Sequence, residues 1–317
     1  MGPRNSLVTV GTPVFNGESY LARALDSILA QDYPHIELVI SDNASTDGTE
    51  EICRSYASQD ERIRYFRHEF NHGGAWNHRF VVAEAKGTFF RYHAHDDDCL
   101  PSLISRCAAI LEARSDVVMC YSGTLMIDEK DRVFAVYDDD LRAMSDRPHE
   151  RLRSLVNRLF YCNVNYGLVR TDIMRATRGH GAYVRADHVQ LAELALRGKL
   201  YSIPEPLFKR RFHAKMSTSG PTVQDRATWF DPGNAESRLY FPVARLYYEH
   251  LRAIYLSQLG LLDRLRCYAV YNSYSIAWTL RTLVARLRGR SLLHVPLDRI
   301  ELTSEARDAD LRRLELW

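Results

Sequence analysis

Three consecutive carboxylates follow an apolar and aromatic run at residues 88–93; they are Asp96, Asp97 and Asp98. Neighbouring like charges raise one another's pKa unless a cation or a polar ligand compensates them. Mg²⁺ and Mn²⁺ prefer carboxylate oxygens and usually keep coordination positions free for phosphates. The cluster therefore predicts a Mg²⁺ or Mn²⁺ site, or else a solvated acidic turn in which Asp98 caps a helix starting near Pro101.

Two other acidic residues are candidates for a functional role. Asp42 ends a second short apolar run, and Asp187 stands at the start of a predicted helix. As an N-cap, Asp187 would contribute about 1 kcal/mol, whereas as a general base it would accept a proton from a hydroxyl. Farther on, Arg211 and His213 end the last predicted strand. His213 is either an exposed histidine or a neutral imidazole ligand for the metal.

Short apolar runs alternate with segments of helical periodicity up to residue 121. The predicted strands cover residues 7–11, 36–41, 63–66, 88–93 and 117–121, and the predicted helices cover residues 18–31, 50–58, 75–85 and 101–113. This order predicts an α/β fold with a mostly parallel sheet flanked by helices. Because ligands bind at the carboxyl ends of such strands, Asp42 and the acidic cluster are expected to face one pocket.

The pattern loosens after residue 128. The remaining predicted elements are a helix at 149–160, a strand at 162–169, a helix from Asp187, two strands within 200–213, and C-terminal helices at 222–229, 237–259 and 261–288. A second acidic triplet, residues 138–140, follows no long buried strand and predicts a solvated loop. We expect a nucleotide half (1–128), an acceptor half (129–214) and a helical C-terminal region (215–317). The last helix, rich in Arg and Tyr, could lie on an anionic membrane or pack on the rest of the protein; we favour packing.

The composition narrows the class of protein. The 317 residues carry 42 Lys and Arg against 40 Asp and Glu, so no strong field favours a nucleic acid partner. The six cysteines are scattered without a C-x-x-C pair, which favours free thiols in a reducing compartment. Neither a secretory signal nor a membrane-spanning run is found. We therefore expect a cytoplasmic protein that could touch the inner membrane surface; the oligomeric state is unknown.

The first loop excludes two nucleotide-binding motifs. Residues 11–16 lack the second and third glycines of the dinucleotide fingerprint, and a P-loop is also absent. A chain that lacks both motifs but binds a metal through carboxylates is expected to hold a nucleoside diphosphate with its side chains and the cation.

The run VTVGTPVFNGESYLARALDSILAQDYPHIELVISDNASTDGTEE, residues 8–51, closely resembles the opening of family-2 glycosyltransferases with the Rossmann-like GT-A fold. The resemblance continues through the acidic cluster to Arg211 and His213. It implies inverting transfer of a sugar from a nucleoside-diphosphate sugar to the hydroxyl of a glycan, lipid-linked or other acceptor. The setting would be synthesis of a cell-surface polysaccharide, glycolipid or glycoconjugate.

The resemblance also implies roles for single residues. It assigns nucleotide contacts to Thr12, Pro13, Phe15, Asn16, Asp42, Asn43, Asp96 and Arg211. Asp42 can accept the imide N–H of uracil or thymine, which favours UDP or dTDP donors. The catalytic base is expected at Asp187, although the Glu that often precedes it is Ala186 here.

The metal motif departs from the family pattern. The candidate ligands are Asp96, Asp97, Asp98 and His213, with Ala94 standing where the first Asp of D-x-D-D-x-x-x-P often sits. Strand alternation would pair Asp96 with Asp98, whereas the resemblance favours Asp96 with Asp97. Two other functions stay open. A nucleotidyltransferase would be expected to carry a Gly-rich basic first loop, and a non-catalytic sugar-nucleotide or glycan-binding protein would not need Asp187.

Overall fold

The computed structural model describes residues 6–214, 216, 242–288, 297–304, 306 and 310. The helix predicted at 222–229 lies outside the described residues, as does the first part of the helix predicted at 237–259. Within the described ranges, no helix is both long and apolar enough to cross a membrane.

One ten-stranded sheet organises the chain. Its strands are β1 (Val8–Val14), β2 (Ile36–Asp42), β3 (Ile63–Arg67), β4 (Phe89–Tyr92), β5 (Asp98–Cys99), β6 (Val117–Ile127), β7 (Val133–Tyr137), β8 (Leu168–Arg170), β9 (Lys199–Arg211) and β10 (Ile300–Leu302). The main order is β10-β7-β6-β8-β4-β1-β2-β3, and β9 pairs with both β5 and β6. Most paired residues belong to the parallel pairs β1–β2, β1–β4, β2–β3 and β6–β9. The expected α/β sheet is confirmed, with antiparallel pairing around β5, β7, β8 and β10.

Helices cover both faces of this sheet. They are α1 (Leu21–Leu29), α2 (Thr49–Gln59), α3 (Gly74–Glu84), α4 (Leu103–Ala113), α5 (Pro148–Arg158), α6 (Thr171–Arg175), α7 (Ala186–Arg197), α8 (Pro242–Leu256) and α9 (Leu261–Leu287). One core cluster contains apolar side chains of α1 and α4, and the other contains side chains of α3, α5, α7, α8 and α9. Since β1 and β2 are buried along their whole length, their sequences are nearly continuous apolar runs rather than alternating ones.

Several local predictions differ from the structure. β1 continues through Thr12 and Pro13 to Val14, so the first two are buried in a strand rather than placed in a loop. Residues 162–169 form a 3-10 turn at Asn163–Tyr166 followed by the short β8, because Cys162 adopts a left-handed conformation that breaks an extended run. The hairpin strand β7 was not predicted.

The C-terminal helices join the core of the fold. Ala253 and Ile254 of α8 and Cys267 and Tyr271 of α9 are buried in the same apolar cluster as α5 and α7. The favoured packing of the last helix is therefore confirmed for this face of α9. The predicted domain boundary near residue 214 stays a prediction.

Candidate active site

A buried arginine organises the acidic cluster. Short β5 pairs antiparallel with β9, which places Asp98 beside the basic end of that strand. Arg211 is fully buried there; its guanidinium donates to an Asp98 oxygen at 2.9 Å and to the backbone oxygen of Asp96 at 2.9 Å, and it also pairs with Asp131. Its backbone N–H donates to Asp97 at 2.9 Å. Arg211 thus neutralises the cluster from inside the protein.

Asp96 is the carboxylate that turns toward a histidine. Nε2 of His213 lies 2.9 Å from an Asp96 side-chain oxygen, and the imidazole packs against Tyr20 with ring centroids 4.8 Å apart. Burial opposes ionisation of Asp96, but His95 and the bond to His213 outweigh it and hold the pKa of that carboxyl below its usual value. An ionised carboxylate beside an imidazole suits a divalent cation.

The other two carboxylates differ from Asp96. Burial raises the pKa of Asp97 above its usual value, and the charge of Asp96 adds to the effect. Burial also raises the pKa of Asp98, against the pull of Arg211. Its second carboxylate oxygen is buried without a hydrogen-bond partner. Of the four predicted metal ligands, the structure therefore brings Asp96 and His213 together and directs Asp97 and Asp98 toward Arg211.

Asp42, the predicted base-binding acid, lies in a closed hydrogen-bond network. It carries no exposed surface. One oxygen accepts from the Tyr65 hydroxyl and the Arg67 guanidinium, each at 2.9 Å, and the other accepts from the backbone N–H of Ser45 at 2.9 Å. Direct contact between Asp42 and a base would require Tyr65 or Arg67 to move.

The other predicted nucleotide contacts surround the carboxyl ends of β1 and β2. Phe15 and Asn16 are exposed, and Asn16 has a φ of 53° while its amide oxygen accepts from Thr46. Asn43 is buried, with bonds to Asn71 and to the backbone of His72. Pro13 is also buried, and Thr12 has a buried hydroxyl without a partner. Only Phe15 and Asn16 thus present an exposed surface to a ligand.

Asp187 lies on the first turn of α7. Arg185, just before that helix, has a φ of 65°, and an Asp187 oxygen accepts the backbone N–H of His188 at 2.9 Å. Burial opposes ionisation, but the nearby His188 and His180 and a hydrogen bond from Cys162 hold the pKa of Asp187 below its usual value. The carboxylate is therefore ionised near neutral pH, as a general base requires. The alternative N-cap role is wrong, because Arg185 occupies the N-cap position and Asp187 is the second residue of α7.

Residues 161–163 contact groups that interact with both parts of the predicted site, the acidic cluster and Asp187. The Arg210 guanidinium donates to the backbone oxygen of Tyr161 at 2.7 Å and also bonds the Asn163 side chain. The positive charge of Arg210 also interacts with Asp96 and Asp97, and the thiol of Cys162 donates a hydrogen bond to Asp187. Asp187 and the acidic cluster thus border a common region.

Sequence reasoning missed two polar residues in this region. Arg210 precedes the predicted Arg211 on β9, and because side chains alternate along a strand, the two point in different directions. Asp139, expected in a solvated loop, is buried and accepts hydrogen bonds from Thr124 and Asn163. Burial raises its pKa to about 7. Its position depends on the β6–β7 hairpin, which the sequence pattern did not indicate.

Part of the chain is similar in sequence to a known protein family and to several of its members. Residues 9–135 match the model described as Glycosyl transferase family 2. An uncharacterized glycosyltransferase of Rickettsia typhi is 32% identical over 157 residues, which cover 49% of this chain and 48% of the relative. Glycosyltransferase GlyG of Streptococcus pneumoniae is 31% identical over 134 residues, which cover 42% of this chain and 44% of that relative. The chain thus aligns with less than half the length of these curated relatives.

A solved structure extends the comparison over most of the chain. S. aureus TarS, residues 1–349, in complex with UDP-GlcNAc, has 14% identity and a TM-score of 0.54. The superposition covers 95% of this chain and 98% of that one. The two proteins therefore share a fold.

Proposed function

Residues 9–135 belong to glycosyl transferase family 2, and on that premise we propose that the protein transfers a sugar from a nucleoside-diphosphate sugar to an acceptor hydroxyl, with inversion. The observation that supports this proposal is that Asp187 and the acidic cluster both interact with the segment at residues 161–166. Burial, followed by the charges of Asp97, Asp96 and Asp187, raises the pKa of Tyr166 in that segment. A base and an anion-stabilising centre on one region are what glycosyl transfer requires.

Asp187 would act as the general base. Its ionised carboxylate takes the proton of the acceptor hydroxyl while the hydroxyl oxygen bonds to the anomeric carbon. The bond from that carbon to the phosphate oxygen breaks, and the nucleoside diphosphate leaves with the bonding electrons. Attack and departure on opposite sides of the carbon give inversion.

Asp96 and His213 would hold Mg²⁺ or Mn²⁺. The fit is chemical: a carboxylate with a lowered pKa and an imidazole lie 2.9 Å apart, and Asp98 keeps a partnerless buried oxygen nearby. Two protein ligands leave positions for donor phosphates, as is usual for Mg²⁺. The bound ion would supply positive charge that stabilises the departing diphosphate. Arg211 contributes by compensating Asp98, rather than by the direct diphosphate contact expected from the sequence.

The nucleotide would lie over Phe15 and Asn16, near Asp42. We infer a UDP or dTDP donor, because the carboxylate of Asp42 can accept an imide N–H once Tyr65 or Arg67 moves. The fold shared with TarS, which was solved with UDP-GlcNAc, agrees with a uridine donor. Synthesis of a cell-surface polysaccharide or related glycan is the setting we favour.

A screen of nucleotide sugars tests the proposal. Purified protein is given each donor with a panel of hydroxyl acceptors, and free nucleoside diphosphate is measured with Mn²⁺ and with EDTA. We expect metal-dependent release from a UDP or dTDP sugar, and loss of that release in Asp96→Ala. Release of pyrophosphate instead would indicate a nucleotidyltransferase, and binding without turnover in the parent protein would indicate a binding protein.

A further inference from the structure

Three chemically different side chains meet beside the proposed base. Sγ of Cys162, a carboxylate oxygen of Asp187 and a ring nitrogen of His188 all lie within 4.8 Å of one another. In the part of the chain that the structure describes, this is the one group of three or more Cys, His, Asp or Glu side chains that converges in this way. It is separate from the Asp96–His213 pair in its residues and in its elements.

Backbone conformation brings these groups together. Cys162 has a φ of 60° and precedes the 3-10 turn, whereas Arg185 has a φ of 65° and precedes α7. Left-handed conformations are costly for residues with a Cβ, and persist where the surrounding structure holds them. One such residue precedes the 3-10 turn and the other precedes α7. As a result, Cys162 contacts the first turn of α7, which carries Asp187 and His188.

The surroundings place two of the three groups in a metal-binding protonation state. Burial lowers the pKa of His188 to about 4, which keeps its imidazole neutral near pH 7. Asp187 is ionised, as described above. Burial raises the pKa of Cys162, so its thiol stays protonated and donates to Asp187 until a metal displaces the proton.

A fourth group reinforces the case for a ligand. His180 is 4% exposed, its Nδ1 has no hydrogen-bond partner, and it interacts electrostatically with Asp187. Buried polar atoms without a partner are uncommon and often mark an unassigned water or ion. His180 therefore combines an unsatisfied buried nitrogen with an electrostatic interaction with one member of the cluster.

We propose that Cys162, Asp187 and His188 form a second metal site, which takes Zn²⁺ or a similar thiophilic divalent ion. Sulfur, nitrogen and oxygen ligands suit Zn²⁺, whereas Mg²⁺ prefers oxygen alone. Bonds form from the thiolate, the carboxylate and the imidazole to the ion, and the thiol proton passes to solvent. Occupation withholds Asp187 from the acceptor, so Zn²⁺ inhibits transfer; this last consequence rests on the proposed function.

Cobalt titration of the whole chain tests the site without using activity. Co²⁺ bound to a thiolate gives a near-ultraviolet charge-transfer absorption. We expect this absorption to saturate at one equivalent, to be abolished by excess Zn²⁺ and to be lost in Cys162→Ser. Cys267→Ser, a buried cysteine on α9, is the matched control and should keep the absorption, as should Asp96→Ala.

His188→Gln serves as a second variant if Cys162→Ser is poorly folded by circular dichroism, and it should weaken cobalt binding at least tenfold. No charge-transfer absorption in the parent protein, or its persistence without the Cys162 thiol, would overturn the site whether or not transferase activity is found. Where activity is found, micromolar Zn²⁺ in the presence of Mn²⁺ should inhibit the parent protein more strongly than Cys162→Ser. Equal inhibition of the two would overturn the inhibitory role.

A second, independent feature lies on α9. Its buried residues, Cys267, Val270 and Tyr271, face the core, but a line of exposed apolar side chains follows the opposite side of the helix. At 100° per residue these side chains fall within one sector. They are Leu261, Leu262, Leu265, Ile276, Leu280, Leu283, Val284 and Leu287. We call this sector the apolar stripe of α9.

The charges beside the apolar stripe are mostly positive. Residues 261–288 contain five arginines and one acidic residue, Asp263, which pairs with Arg266 at 3.3 Å. Arg266, Arg281 and Arg288 are exposed and lie along one edge of the stripe in the helical projection. Trp278, more than a third exposed, adds an aromatic side chain of the kind found at membrane interfaces.

We infer that the apolar stripe of α9 binds an anionic lipid surface, with the helix lying in the interface. Buried apolar area and attraction between arginines and anionic headgroups together determine the strength of such binding. Each arginine near the surface contributes on the order of 1 kcal/mol. The charge pattern favours lipid over a second copy of this chain, which would bring two arginine-rich faces together.

Vesicle sedimentation tests this surface. We expect the protein to bind phosphatidylcholine vesicles containing phosphatidylglycerol, to bind pure phosphatidylcholine vesicles much less, and to dissociate at high salt. Leu280→Ser with Leu283→Ser should abolish binding, whereas the control Thr279→Ala should not. Absence of binding to the anionic vesicles would overturn the inference, as would a dimer in solution that Leu280→Ser with Leu283→Ser dissociates.

Discussion

At the scale of single residues, Asp187 combines a structural role with the proposed chemical one. It stands on the first turn of α7, where a carboxylate interacts favourably with the helix dipole, and it accepts the His188 N–H. The sequence predicted the position of this acid, but not its three neighbours. His188 is its neighbour in the sequence, whereas Cys162, which adopts a left-handed conformation, and His180 come from other segments of the chain.

Replacement of Asp187 by Asn separates the two roles. We expect transfer to fall by about 10²–10⁴-fold, because an amide has no useful proton affinity near neutral pH. Folding and donor binding should change little, since Asn accepts the same backbone N–H. Turnover under saturating donor and calorimetric donor affinity are the measurements. Turnover within about threefold of the parent, well below that range, would leave Asp187 with its structural role alone.

Asp139 predicts a pH dependence of stability. Burial raises its pKa from 3.8 to about 7, so between these values the folded protein holds a proton that the unfolded chain releases. The free energy of unfolding therefore falls as the pH rises through this window, by at most about 4 kcal/mol at 1.36 kcal/mol per pKa unit. Asp139→Asn should keep the bonds to Thr124 and Asn163 and remove this dependence.

Urea unfolding at pH 5 and pH 8 measures the effect. We expect Asp139→Asn to gain stability relative to the parent protein at pH 8, and to differ less from it at pH 5. Asp138→Asn, at the exposed neighbour of Asp139, is the control and should follow the parent at both values. If the stability of Asp139→Asn and that of the parent protein changed equally between pH 5 and pH 8, Asp139 would not be the protonated, buried group.

At the scale of elements, β9 shows what the sequence could not determine. Its basic end was predicted, but the register with β5 and β6 decides which arginine turns inward. Arg211 faces the acidic cluster and Arg210 faces residues 161–163. Both pairings join segments that are far apart in the sequence, and local periodicity carries no information about such register.

Arg211→Met should strongly destabilise the protein. It leaves the partly buried Asp98 without its cation and removes the link between β5 and the loop containing Asp131. Losing one partner of a buried ion pair typically costs about 3–5 kcal/mol. Denaturant unfolding in EDTA measures this loss without interference from a bound metal.

Arg210→Met is the matched control on the same strand. Its guanidinium donates to two neutral acceptors, the backbone oxygen of Tyr161 and the amide oxygen of Asn163, so we expect a smaller loss of about 1–3 kcal/mol. Arg211→Lys should fall between the two, because it keeps the charge but not the fork of donors. Equal losses for Arg210→Met and Arg211→Met would contradict the assignment of Arg211 as the cation of the cluster.

At the scale of the whole molecule, the sequence predicted the parallel first half better than the second half. The strand–helix alternation up to residue 121 reproduces β1 to β4 and α1 to α4 within a few residues. Beyond β6 the sheet is built from short antiparallel strands and from β9, whose register shifts beside Pro206. Pairing of short strands depends on contacts between distant segments, so their sequences lack a strong periodic signal.

The C-terminal helices are joined to α7 by a buried charge network. Arg178 pairs with Glu193 of α7 and with Glu249 of α8, and both carboxylates are buried. Stacking of His250 on Tyr271, with ring centroids 4.5 Å apart, extends the contact to α9. Since α7 also carries Asp187, the position of the proposed base depends on helices outside the matched family segment.

Glu249→Ala tests this dependence. It removes a charged hydrogen bond from Arg178 while Glu193 remains, so we expect a loss of about 1.5–3 kcal/mol in urea unfolding. The control Arg252→Ala lies on the same helix, is half exposed and makes only a 3.9 Å contact with Glu249, so its effect should stay within about 0.5 kcal/mol. Because α8 packs on α7, Glu249→Ala should also lower kcat at temperatures where the protein is still folded. A stability loss with unchanged kcat would show that α8 supports the fold without positioning Asp187.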